Sequence, residues 1–183
     1  MARKESWEMQ LQEGLAKKDM IETVMLISAV DEVKVYLALG EFFLGNNTRW
    51  VFPVLERPSK YYTELLKKGG LDTSKISFID VGTNYRVGSY IDSPRDMIEL
   101  KREIVSIADR LMSSNPRPEK VVFVFGSFVT LALFNDNREI GIFVHELTLA
   151  LRQLGVYMVF LIPPDDPIIR YILPVMDYRL RVG

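Results

Sequence analysis

Short apolar runs alternate along the chain with segments whose apolar residues recur every three or four positions. The runs at 24–27, 50–55, 76–81, 121–125 and 157–162, with a last one near 178–182, are rich in β-branched and aromatic residues and predict buried strands. The periodic segments at 34–44, 59–68, 140–154 and about 167–173 predict helices. Gly45-Asn46-Asn47, Gly69-Gly70 and Gly155 stop three of them. Ser93-Pro94-Arg95-Asp96 predicts another helix start, with a cap, a proline in the first turn and an acid three residues after the serine; that helix runs to about Met112. Trp7, Leu11 and Leu15, spaced by four, predict a short amphipathic helix, and residues 82–92, rich in Gly, Asn, Ser and Tyr, predict a loop. Strand–helix alternation with continuously apolar strands implies a three-layer αβα domain with a mostly parallel central sheet. In such sheets ligands sit at the carboxyl ends of the strands. The expected organisation is a single domain, 1–183, with 1–22 as an N-terminal helical extension.

Composition narrows the function classes. At 183 residues, 48% of them hydrophobic, the chain can bury a sizeable core. A net charge of −1 gives no global field to draw it onto nucleic acid or anionic lipid. With no cysteine there is no disulfide, no thiolate metal site and no thiol nucleophile. The polar start Met1-Ala2-Arg3-Lys4-Glu5-Ser6 is unlike a signal core, and the longest apolar stretch, 121–134, is short for a bilayer and broken by Gly126-Ser127. A soluble cytoplasmic protein is expected.

The candidate chemistry lies in Ser28-Ala29-Val30-Asp31-Glu32-Val33-Lys34-Val35, between the first strand and its helix. An α/β nucleotide-binding fold places its phosphate loop, G-x-x-x-x-G-K-[ST], at this point. Here the lysine is present, while both glycines and the hydroxyl after the lysine are missing. A phosphate loop turns successive backbone N–H groups toward one anion, and glycine permits the positive φ angles this needs. Val30, Val33 and Val35 are poor substitutes, and Asp31 and Glu32 put carboxylates where phosphate charge would sit.

The order of pieces from about Thr23 onward resembles the core of RecA-type ATPases, nearest the KaiC/RadA-like branch. After the phosphate loop those proteins have a T-x-L-A-L-x-F-L helix; this chain has Tyr36-Leu37-Ala38-Leu39-Gly40-Glu41-Phe42-Phe43-Leu44. Their Glu-Glu-x-Pro strand end corresponds to Leu55-Glu56-Arg57-Pro58, and their Gly-Leu-Asp turn to Gly70-Leu71-Asp72 before Ile76-Ser77-Phe78-Ile79-Asp80. Their Walker B run corresponds to the one ending Phe125-Gly126-Ser127, and their Leu-Arg-x-x-Gly to Leu151-Arg152-Gln153-Leu154-Gly155. A small archaeal family placed among P-loop-like folds is similar in the same way. The resemblance implies a RecA-like P-loop NTPase fold. It places the magnesium hydroxyl at Val35, the metal-holding aspartate at Gly126 or Phe125, and the first of two glutamates at Leu55, leaving Glu56. The nucleotide-site positions that survive are Lys34, Glu56 and Ser127.

The expectation is a degenerate member: a non-catalytic regulatory or protein-interaction domain, with no cofactor and no bound metal. Its partner would be a second copy, as a homo-oligomer, or an active RecA/KaiC-like paralogue, with Trp7, Leu11 and Leu15 either anchoring a neighbour or packing on their own domain. One alternative is residual nucleotide binding or weak ATPase activity through Lys34 and Glu56, where Lys34 either touches an anion or pairs with Asp31, Glu32 or Asp80. A single-stranded nucleic-acid accessory role is the other. Arg95, Lys101, Arg102 and Arg110, or Arg170, Arg179 and Arg181, could supply charge, and Tyr61, Tyr62, Tyr85 and Tyr90 could stack bases. Neighbouring acids balance these cations, so nucleic acid is not the expected partner. Glu56, Asp80, Ser127 and Asp165-Asp166 all follow strands; they could converge on a divalent cation or simply cap helices. His145 is the only histidine and no G-x-S-x-G occurs, which argues against a transition-metal site and a serine triad.

Overall fold

A computed structural model describes residues 6–16, 23–44, 47–82 and 88–183. Gly45 and Asn46, Tyr85 and both ends of the N-terminal extension lie outside them. The strands are β1 (Thr23–Ser28), β2 (Thr48–Val54), β3 (Ile76–Val81), β4 (Ser89–Ile91), β5 (Lys120–Phe125), β6 (Tyr157–Ile162) and β7 (Tyr178–Val182). They form one sheet in the order β4-β3-β2-β5-β6-β1-β7, and every pairing is parallel. The helices are α1 (Ser6–Ala16), α2 (Glu32–Phe43), α3 (Ser59–Lys68), α4 (Met97–Met112), α5 (Phe128–Ala132), α6 (Asn137–Gln153) and α7 (Ile169–Ile172).

The strands are apolar throughout because both faces are covered. In β1, Met25 and Ile27 face the core shared with α4, α5 and α6, whereas Val24 and Leu26 face the core shared with α1, α2 and α3. The three-layer αβα architecture expected from the alternation is therefore present. α1 closes the second layer. Trp7, Leu11 and Leu15 are buried against this same domain, and a Cβ on Gly14 would come within 2.6 Å of Leu180 on β7. Of the two roles open to that apolar stripe, packing on its own domain is the one observed.

The structure departs most from the sequence expectation at three places, and α2 also starts two residues early, at Glu32. The stretch at 82–92 carries an edge strand, β4, whose three residues give no periodicity to read, and Gly82 N–H donates to Ile91 at 2.8 Å to fix it. α4 starts after Asp96 rather than Ser93: Asp96 accepts from Glu99 N–H at 2.9 Å, while Ser93 is spent on a turn, its Oγ accepting from Arg95 N–H. α6 starts three residues earlier than its apolar stripe, because Asp136 and Glu139 form a reciprocal capping box. α5 has no counterpart in the sequence pattern.

Candidate functional site

The carboxyl end of β1 feeds α2 through a very short connection. Ser28 ends the strand, its Oγ accepts from Val30 N–H at 3.0 Å, and Asp31 is already the N-cap of α2. Asp31 Oδ1 accepts from Val33 N–H at 3.1 Å and Lys34 N–H at 3.3 Å. A helix N-terminus presents such unsatisfied donors to an anion. Here the chain's own carboxylate takes two of them. Lys34 projects from the first turn as an exposed side chain and pairs with no carboxylate among the described residues, so Asp31, Glu32 and Asp80 are not its partners.

One turn further, Glu32 and Tyr36 share a helix face at i, i+4 spacing. Tyr36 Oη donates to Glu32 at 3.5 Å and Tyr62 Oη donates to the other carboxylate oxygen at 3.4 Å. Tyr36 is buried, with its ring edge-on to Phe52 at 4.8 Å and to Tyr62 at 6.2 Å. Burial, and next the charge of Glu56, holds the Glu32 carboxyl above its ordinary range. Burial, and then Glu32, pushes both phenols well up. Both tyrosines therefore stay protonated and donate.

Tyr36 reaches across to the carboxyl end of β5. A Cβ on Gly126 would lie 2.2 Å from Tyr36 Oη. Of the two positions where the resemblance places a metal-holding aspartate, 126 can thus carry no side chain while Tyr36 stays in place, and 125 is a buried phenylalanine. A cavity of about 320 Å³ remains beside this contact, bounded by Ser28, Val30, Glu32, Leu161 and Pro163.

The other strand-end candidates serve as caps or local braces. Asp80 is buried at the end of β3 and accepts from Ser59 N–H at 2.8 Å, capping α3, which has no side-chain cap of its own. Asp166 accepts from Ile168 N–H at 2.9 Å ahead of α7. Glu56 accepts from Thr130 Oγ1 at 3.2 Å, tying the end of β2 to α5, and Ser127, buried, is the N-cap residue of α5 without a side-chain cap bond. Of the three surviving positions, Glu56 lies against the helix that Ser127 opens, whereas Lys34 joins none of these contacts. Among the described residues no group of three or more acids and histidine could hold a metal ion. No helix there is long and apolar enough to cross a membrane.

Among the described residues, several nucleic-acid candidates are engaged within the domain. Tyr62 is in the core, Tyr61 lies 43% exposed beneath Arg57, Lys101 pairs with Glu146, and Arg102 pairs with Glu99. The residue that sequence reasoning missed is Tyr36. Its i, i+4 relation to Glu32 was the available signal; its contact with Gly126, ninety positions away, was not.

A model of the Family of unknown function (DUF7504) matches residues 25–182. No curated protein matches the sequence. Among solved structures, protein PH0250 from Pyrococcus horikoshii OT3 superposes with a TM-score of 0.60 at 15% identity, over 94% of this chain and 87% of that one. A KaiC-like protein, PH0186, from the same hyperthermophilic archaeon superposes with a TM-score of 0.60 at 15% identity, over 89% of this chain and 73% of that one. At this identity the likeness establishes the fold, a KaiC-like three-layer arrangement.

Proposed function

We propose that this chain, which belongs to the family of unknown function DUF7504, is a non-catalytic binding domain that works through protein–protein contact. The observation that carries the proposal is the Asp31 carboxylate seated on the first N–H groups of α2, where a phosphate loop would hold its phosphate. Three neighbouring features support it. Glu32 and Glu56 add negative charge beside that helix end, Tyr36 Oη occupies the place a side chain at 126 would take, and Lys34 is exposed without a carboxylate partner among the described residues. The first two disfavour a triphosphate or its metal, and together they leave an acidic surface at the end of β1. Beside it, Val129, Leu133 and Phe134 on and after α5 are 50%, 74% and 43% exposed. Contiguous exposed apolar groups of this kind suit a protein partner.

The test is thermal unfolding with ATP or ADP, with and without magnesium, alongside phosphate release. No shift and no release are expected. Ligand at a hundred times its dissociation constant would add about 2.7 kcal/mol, an increase of roughly 5–11 °C for a chain of this size. A shift of that kind, lost in Lys34→Ala, would overturn the proposal.

A further inference from the structure

The outer face of α6 carries two large apolar side chains, Ile142 and Leu149, that this domain leaves half exposed. Its inner face, with Ile140, Phe143, Val144, Leu147 and Leu151, is buried on the sheet. On the outer face Ile142 is 52% and Leu149 49% exposed, and His145 and Glu146 lie exposed between them. The four stand at i, i+3, i+4 and i+7, which is one diamond-shaped patch on a helix surface. Apolar groups occupy its two ends, and its middle holds His145 and the Glu146 carboxylate, which also pairs with Lys101 of α4.

That order is self-complementary under a two-fold axis between residues 145 and 146. A second copy laid antiparallel places Ile142 on the copy's Leu149, Leu149 on its Ile142, and each His145 beside a Glu146. The surroundings agree. α6 is a ridge between two grooves, one of about 510 Å³ against α4 and one of about 330 Å³ against α7. Ile98, 78% exposed, widens the apolar strip on the α4 side. Around these grooves Arg95, Lys101 and Arg138 are matched in number by Asp96, Glu139 and Glu146, so the face favours a partner of neither sign. A copy of itself meets that condition.

We propose that the chain forms a two-fold homodimer through antiparallel α6 helices. This deepens the binding-domain reading by naming one partner and its surface, and it leaves the carboxyl edge of the sheet free.

Because the chain has no cysteine, single-cysteine variants report the geometry directly. Under mild oxidation His145→Cys, beside the axis, should give a covalent dimer, and Lys67→Cys on α3 should not. Ile142→Cys mixed with Leu149→Cys should cross-link to each other more than either does with itself. In sedimentation equilibrium the wild type should be a dimer, and Ile142→Glu should weaken it about thirtyfold or more with its melting curve otherwise native-like. A wild type that stays monomeric at every concentration, a dimer indifferent to Ile142→Glu, or equal cross-linking at positions 67 and 145 would each overturn the dimer. None involves nucleotide, so those failures are distinct from a nucleotide-dependent shift, which overturns the non-catalytic reading instead.

Discussion

Replacing Gly126 by alanine tests how the carboxyl end of the sheet is closed. The new Cβ would stand 2.2 Å from Tyr36 Oη and 3.3 Å from its Cζ. Carbon and oxygen do not approach that closely, so the phenol must withdraw by about 1 Å from its place among the packed rings. Phe52 at 4.8 Å and Tyr62 at 6.2 Å stand in its way. Overpacking of this kind costs about 1–3 kcal/mol. Gly126 is not in the left-handed region, so alanine fits its backbone and recovers about 0.4–1 kcal/mol by restricting the unfolded chain. The net loss is about 0–2.6 kcal/mol, or up to roughly 10 °C in melting temperature. Tyr36→Phe keeps the ring contacts and removes only the hydroxyl, along with its long bond to Glu32. In that background the nearest ring carbon is the one at 3.3 Å, and Gly126→Ala should cost little or nothing. Urea unfolding of the two single variants and the double variant gives the coupling directly, expected at about 1–3 kcal/mol because the backbone gain of alanine cancels. If Gly126→Ala costs the same in both backgrounds, the hydroxyl is not the obstacle and the account of the plugged strand ends fails.

Three further outcomes follow from the same geometry. Asp31→Ala should lower stability by about 1 kcal/mol in thermal unfolding, while Asp31→Ser, which keeps an acceptor at the cap, should retain most of it; equal losses would deny the cap its role. Glu32 keeps its proton in the fold at a pH where the unfolded chain, with an ordinary value of 4.5, has lost it; wild-type stability should therefore fall as pH rises above that value, until the folded carboxyl also ionises. Glu32→Gln should flatten that slope in urea midpoints taken across the range, and parallel profiles would contradict the assignment. Leu11→Ala on α1 should cost about 2–5 kcal/mol, because α1 packs on its own sheet; a loss under 1 kcal/mol would mean the helix is only peripherally attached.

Much of the architecture was legible because it rests on local pattern. β3, β6, β7 and α3 fall where apolar runs and helical spacing put them, since a strand buried on both faces has no polar alternation to blur. The edge strand β4 was illegible because its three residues take their conformation from β3, not from their own pattern. α4 begins three residues late because two good caps, Ser93 and Asp96, compete within one turn, and composition alone does not rank them. The candidate site was legible only in outline. The sequence placed Asp31, Glu32 and Lys34 at the end of β1, but the roles of Asp80 and Gly126 depend on partners 21 and 90 positions away. Trp7, Leu11 and Leu15 announced an apolar face without saying that β7 would cover it.

The departures from a phosphate loop read as separate losses in the sequence, yet the structure couples them. A helix N-terminus that faces an anion needs that anion for part of its stability. With Asp31 as the cap, α2 carries its own negative charge and is complete without a ligand. With Tyr36 beneath that turn, the place of a side chain at 126 is taken, and two phenols donate to the half-buried Glu32. An aspartate at 126 would collide with Tyr36, and removing Tyr36 would take away one of the two phenol donors to Glu32 and open a cavity among aromatic rings. Each single step back toward a nucleotide site costs stability before any ligand can repay it. The rearranged strand ends are thus held by mutual packing, which is why the effect of a change at one of these positions should depend on the residues at the other two.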